Sequence, residues 1–82
     1  MRVIVHAEDL SGRRDDGYYS KPKIADALDI FFENPDEVNF SGADGQEIMT
    51  RSEAESVFDT DGKVIFYNRM GERVVITRDP SA

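Results

Sequence analysis

Apolar and polar residues alternate with a period of two at both ends of this chain and follow a helical period between them. "RVIVHA" sets Val3, Val5 and Ala7 against Arg2, Ile4 and His6, and its β-branched content predicts a strand with one buried face. "EDLSGRRDDGYYSK" follows with little periodicity. It reads as a long polar connection, an irregular hairpin arm ending in Tyr18 and Tyr19.

"IADALDIFFENPDE" changes the period. With Ile24 as origin and ~100° per residue, Leu28 and Phe31 fall within about 40° of it, and Ala25, Ala27 and Phe32 within about 100°. Asp26, Asp29 and Glu33 gather on the far side at roughly 140–200°, with Ile30 beside them at about 240°. Ser20 or Lys21 can cap this helix, Pro22 suits its first turn, and it runs through Glu33 until Asn34–Pro35 stops it.

Four more strand-like runs follow: "EVNFS", "QEIMT", "KVIFYN" and "ERVVITR". Turn signals bound them at "GADG" 42–45, "DTDG" 59–62 and "NRMG" 68–71. Between the second and third, Ser52 and Glu55 form an S-x-x-E capping box that predicts a short helix over 53–58. The fold class is therefore α+β: an antiparallel sheet of about five strands, the main helix packed on one face, and a second short helix. The hairpin around "NRMG", pairing Val64–Phe66 with Val74–Ile76, is its clearest part.

At 82 residues this is a single domain, 1–82, with one core. The N-terminal apolar run is too short for a signal-peptide core or a membrane span, and the chain contains no cysteine. The expectation is a cytoplasmic protein without disulfides or thiolate metal sites. Net charge is −7, which argues against direct nucleic-acid binding, since phosphate neutralisation needs clustered Lys and Arg. Its distribution is uneven. Residues 1–23 carry a net +1, residues 24–62 a net −10 with Arg51 as the single base, and residues 63–82 a net +2. Salt adaptation or a need for solubility would spread the acid along the whole chain.

Catalytic and metal chemistry find no pattern. "DTDGK" opens like a calcium loop, but Lys63, Val64 and Met70 stand where an oxygen ligand, a glycine and a glutamate are required, so it reads as a hairpin turn. "SKPKIADALDIF" matches the first helix of a helix-turn-helix, yet no basic recognition helix follows. His6 is the single histidine, expected on the surface or on an edge strand, and no serine elbow or cysteine accompanies it. The expectation is no catalytic residue, no metal site and no cofactor.

The acidic back of the main helix is the distinctive surface. Asp26, Asp29, Ile30 and Glu33, extended by Asp36 and Glu37 beyond the helix end, combine charge for steering with an apolar side chain for affinity. Lys21 and Lys23 at the helix start and Glu33 at its end all oppose the helix dipole, which a helix shaped for stability alone would avoid. Carboxylates spaced ~4.5–6 Å apart by the helical rise can imitate a row of phosphates. The implied function is a small acidic, non-enzymatic protein-binding module. It would occupy a basic, nucleic-acid-binding surface of a partner protein. In size, acidity and α+β character the chain resembles phage inhibitors of restriction and CRISPR machinery, a group that no motif defines. The alternative is a homo-oligomeric structural or assembly subunit that uses strand edges and Tyr18/Tyr19.

Overall fold

The computed structural model describes residues 2–9, 15–33, 39–40, 47–68 and 71–80, with residue 9 and residues 15–19 described by their backbone alone. Six strands and two helices follow one another as β1 (Val3–Asp9), β2 (Asp15–Lys21), α1 (Ile24–Phe31), β3 (Asn39–Phe40), β4 (Ile48–Met49), α2 (Arg51–Asp61), β5 (Lys63–Tyr67) and β6 (Glu72–Arg78). The strands form one antiparallel sheet in the order β2-β1-β6-β5-β3-β4, giving an α+β fold.

Alternation along the three central strands builds the core. Val3, Val5 and Ala7 of β1, Val74 and Ile76 of β6, and Val64 and Phe66 of β5 are all buried on one face. The register places Val5 opposite Ile76 and Ile76 opposite Val64, so these side chains form continuous rows under the helices. Ala27 and Leu28 of α1 and Ala54 and Phe58 of α2 close the layer from above. Phe66 lies at its centre, fully buried, with the Phe31 ring edge-on at 5.4 Å and the Phe32 ring tilted at 5.5 Å. The hairpin expected around "NRMG" is present, pairing Val64 with Ile76 and Phe66 with Val74. Gly71 takes a φ of 80° beside its turn, where the Glu72 amide donates to Asn68 Oδ1.

Several local expectations are corrected. The sixth strand is β2: the segment read as a polar connection and irregular hairpin arm does pair with β1, through a bulge, and runs on past Tyr19 to Lys21. "DDGYYSK" lacks an apolar alternation, but pairing with β1 satisfies its backbone, with Val3 opposite Lys21 and His6 opposite Tyr18. Ser20 and Lys21 therefore belong to a strand, and the N-cap of α1 is Lys23, with no side-chain cap. At the other end α1 stops at Phe31. Phe32 leaves the helix at φ −130° and turns its ring into the core. Phe31, still within the helix, packs half-buried against the core, and Phe32 is buried just beyond the helix end.

The second helix is longer than expected and starts earlier. Thr50, not Ser52, is the cap, two residues upstream of the expected one: its hydroxyl accepts from the Glu53 amide at 3.2 Å and donates to Glu53 Oε1 at 3.3 Å. "DTDG" is the last turn of α2 and its left-handed cap rather than a hairpin turn. Gly62 has φ 72°, and its amide donates to Phe58 O at 2.7 Å. His6 lies half-buried on β1, an interior strand rather than an edge. Of "EVNFS" and "QEIMT" only Asn39–Phe40 and Ile48–Met49 are assigned as strand; "GADG" and Asn34–Pro35 lie outside the described residues.

Two measurements test this packing. Phe66→Ala is expected to cost about 3–5 kcal/mol in denaturant unfolding, the range for a buried phenylalanine. Thr50→Ala should cost about 1 kcal/mol while Ser52→Ala stays within about 0.5 kcal/mol; the reverse order would restore the Ser52 cap.

Candidate functional site

The outer side of α1 is shaped by what its inner side buries. Ala27 and Leu28 face the core, so Asp29 and Ile30 turn outward and Asp26 is half-buried at the flank. Ile30 is 38% exposed; it and Ile48 are the exposed large hydrophobics among the described residues. Glu33 is exposed just beyond the C-cap and engages in a polar interaction of its own. Asp26, Asp29 and Ile30 are spread along α1 from its first turn to its last, with Glu33 just beyond its C-cap, while Asp36 and Glu37 lie outside the described residues.

Two features differ from the expected arrangement. The shorter helix puts Asp26 in its first turn, where the N-terminal dipole stabilises a carboxylate instead of opposing it. Glu33 lies outside the helix, so an evenly spaced helical row of carboxylates is confined to Asp26 and Asp29.

The third feature could not be read from spacing along the chain. Arg51, the single base of the acidic middle segment, projects from the first turn of α2 onto α1. One guanidinium nitrogen, Nη1, pairs with Asp29 Oδ1 at 2.5 Å, and Nη2 donates to the carbonyl of Ala25 at 3.1 Å. This clamp joins the two helices and neutralises one of the surface carboxylates. What remains along the outer side is exposed Ile30, one helical turn from half-buried Asp26, with Glu33 past the helix end.

The opposite face of the sheet carries no described helix. Alternation puts Ile4, His6 and Glu8 of β1, Arg73, Val75 and Thr77 of β6, and Lys63, Ile65 and Tyr67 of β5 on that side. Phe40 and Ile48 extend it, since Phe40 stands opposite Tyr67 and Ile48 opposite Phe40. Glu8 approaches Arg73 Nε at 3.6 Å, an ion pair too long for a hydrogen bond. Tyr18 and Tyr19 lie on β2 at positions opposite His6 and Val5.

Among the described residues, no group of three or more His, Asp or Glu side chains is placed to hold a metal ion, and no helix is long and apolar enough to cross a membrane. No protein-family model, curated protein or solved structure matches the chain.

A double-mutant cycle measures the clamp. Asp29→Asn and Arg51→Gln should couple by about 0.2–1 kcal/mol in unfolding, because both side chains are partly exposed, and the coupling should shrink as salt rises.

Proposed function

We propose that this chain is a small, non-enzymatic protein-binding module whose acidic α1 surface occupies a basic, nucleic-acid-binding surface of a partner protein. One observation carries the reading: Ile30 stands exposed next to Asp29 and one turn from Asp26 on the outer side of a helix whose inner side packs into the core. An apolar side chain in that setting supplies contact area, and Asp26 and Glu33 steer the encounter toward a cationic partner. Asp29 takes part by exchange. The partner's arginine or lysine would replace Arg51, so little charge is newly desolvated when the complex forms.

The mode of action is occlusion. A protein surface that tracks phosphates is lined with Arg and Lys, and carboxylates placed against it displace the nucleic acid without any chemical step. The imitation is local, because Arg51 breaks the row of charge and Glu33 leaves the helix. This favours a compact contact of a few cations over a long mimic of a duplex strand. A reducing, cytoplasmic setting suits a chain without cysteine.

The alternative, an oligomeric subunit joined through strand edges, has less support. The register between β1 and β2 slips between His6 and Glu8, so Asp16 and Gly17 both stand opposite Ala7. Such a bulge, next to two aspartates, blunts an edge against further pairing. The other edge, β4, is only two residues long.

Tagged protein passed through host lysate at low salt tests the reading, with wild type beside an Asp26→Asn, Ile30→Ser, Glu33→Gln variant that leaves the Arg51 clamp intact. Wild type should retain a basic protein that stepwise salt elutes and the variant loses. In competition, the captured protein should release its nucleic acid when wild type is added. Equal retention by both proteins would overturn the proposal.

A further inference from the structure

The contact of Arg51 with α1 has a shape as well as a charge. Its Nη1 pairs with Asp29 Oδ1 at 2.5 Å, and its Nη2 donates to the Ala25 carbonyl at 3.1 Å. Ala25 and Asp29 are one helical turn apart, so the two acceptors stand one above the other on one flank of α1. A guanidinium meets such a pair with two donors held in a fixed plane. An ammonium is a point charge on a flexible stem and brings no fork of that kind. The contact lies at the surface. The side chains of Arg51 and Asp29 remain 37% and 62% exposed and neither residue belongs to the core, so the pair can open without unpacking the helices. The neighbouring row along the same helix is Asp26 and exposed Ile30, so a partner that covers Ile30 comes beside the pair.

We infer that the Asp29 carboxylate and the Ala25 carbonyl form an arginine-selective subsite of the acidic surface, occupied in the free protein by Arg51 as an intramolecular competitor. The partner side chain that displaces Arg51 is then an arginine rather than a lysine. Exchange of one guanidinium for another keeps both acceptors paired, whereas a lysine replaces the fork with a single point of charge. Arg51 also sets the affinity. As the occupant that must leave, it weakens any complex made through this subsite by the strength of its own contact, a factor of up to about five for an exposed ion pair.

This inference rests on the acidic-surface reading and names the partner group that Asp29 receives.

Arg51→Lys tests it, because the substitution keeps the net charge and removes the fork. The probes are two capped hexapeptides in which glycine alternates with arginine or with lysine, titrated into the purified chain while the backbone amides of α1 are followed by NMR. The arginine peptide should bind Arg51→Lys about two- to five-fold more tightly than wild type, with little change for the lysine peptide. Adding Asp29→Asn to Arg51→Lys should remove the gain. Should Arg51→Lys lose its circular-dichroism melt, Arg51→Gln set beside the charge-matched Lys63→Gln makes the same comparison, and the gain for arginine should be larger in the first. An equal gain for both peptides would overturn the inference. So would a gain that survives Asp29→Asn, or no gain at all. The acidic-surface reading is decided separately by lysate capture: a captured basic protein without an arginine gain leaves that reading standing and removes the subsite.

Discussion

Burial of one face of the β1-β6-β5 ladder is the constraint on which the rest of the structure depends, and Phe66 is its centre. Its ring is covered by Phe31 and Phe32 from the end of α1, which fixes the height of that helix on the sheet. The helix ends after Phe31 with both rings against Phe66, and that end leaves Glu33 outside the helix. Asn39 secures the arrangement from the neighbouring strand: it is buried, and its Nδ2 donates to the Phe31 carbonyl at 3.1 Å. A carbonyl freed at the helix C-terminus is thereby satisfied inside the core, where leaving it unpaired would cost about 1–3 kcal/mol.

A second consequence concerns charge. With the apolar sides of both helices and one side of the sheet pressed together, the carboxylates of residues 24–61 have only the outer helix surface and the connections to occupy. Arg51 is the exception that joins the layer, holding Asp29 and the Ala25 carbonyl across the gap between helices. Arg78 plays a related part at the far end of α2. Its guanidinium lies 6.0 Å from the Phe58 ring centroid and closes over Gly62, near the negative end of that helix dipole. A β-carbon at Gly62 would meet Arg78 Nε at 3.3 Å, so the left-handed cap and the arginine that covers it constrain one another. The fold thus gathers seven carboxylates and a single base on residues 24–33 and 51–61 of the helix layer.

Much of this was legible in the chain itself. Period-two alternation located β1, β5 and β6 and their buried residues, because a strand with one dry face leaves no choice about which side chains turn inward. The period of ~3.6 residues at Ile24–Phe31 gave the main helix and, by exclusion, the outward position of Asp26, Asp29 and Ile30. What misled was local chemistry with two competing solutions. Thr50–Glu53 and Ser52–Glu55 both offer a cap. The chain takes the earlier one, and the helix so begun carries Arg51 in its first turn, where it reaches Asp29 and the Ala25 carbonyl. β2 was legible only as an irregular hairpin arm, because a strand recruited by backbone pairing needs no apolar alternation.

Fold class, the rows of core residues and the location of the acid were determined by the sequence alone, since they follow from the periods at which apolar side chains recur. Tertiary structure alone decided that Arg51 reaches Asp29 across 22 positions of chain and that Phe32 ends the helix. Those are contacts between segments distant in sequence. Their geometry depends on how two helices share one sheet, and no local period encodes that.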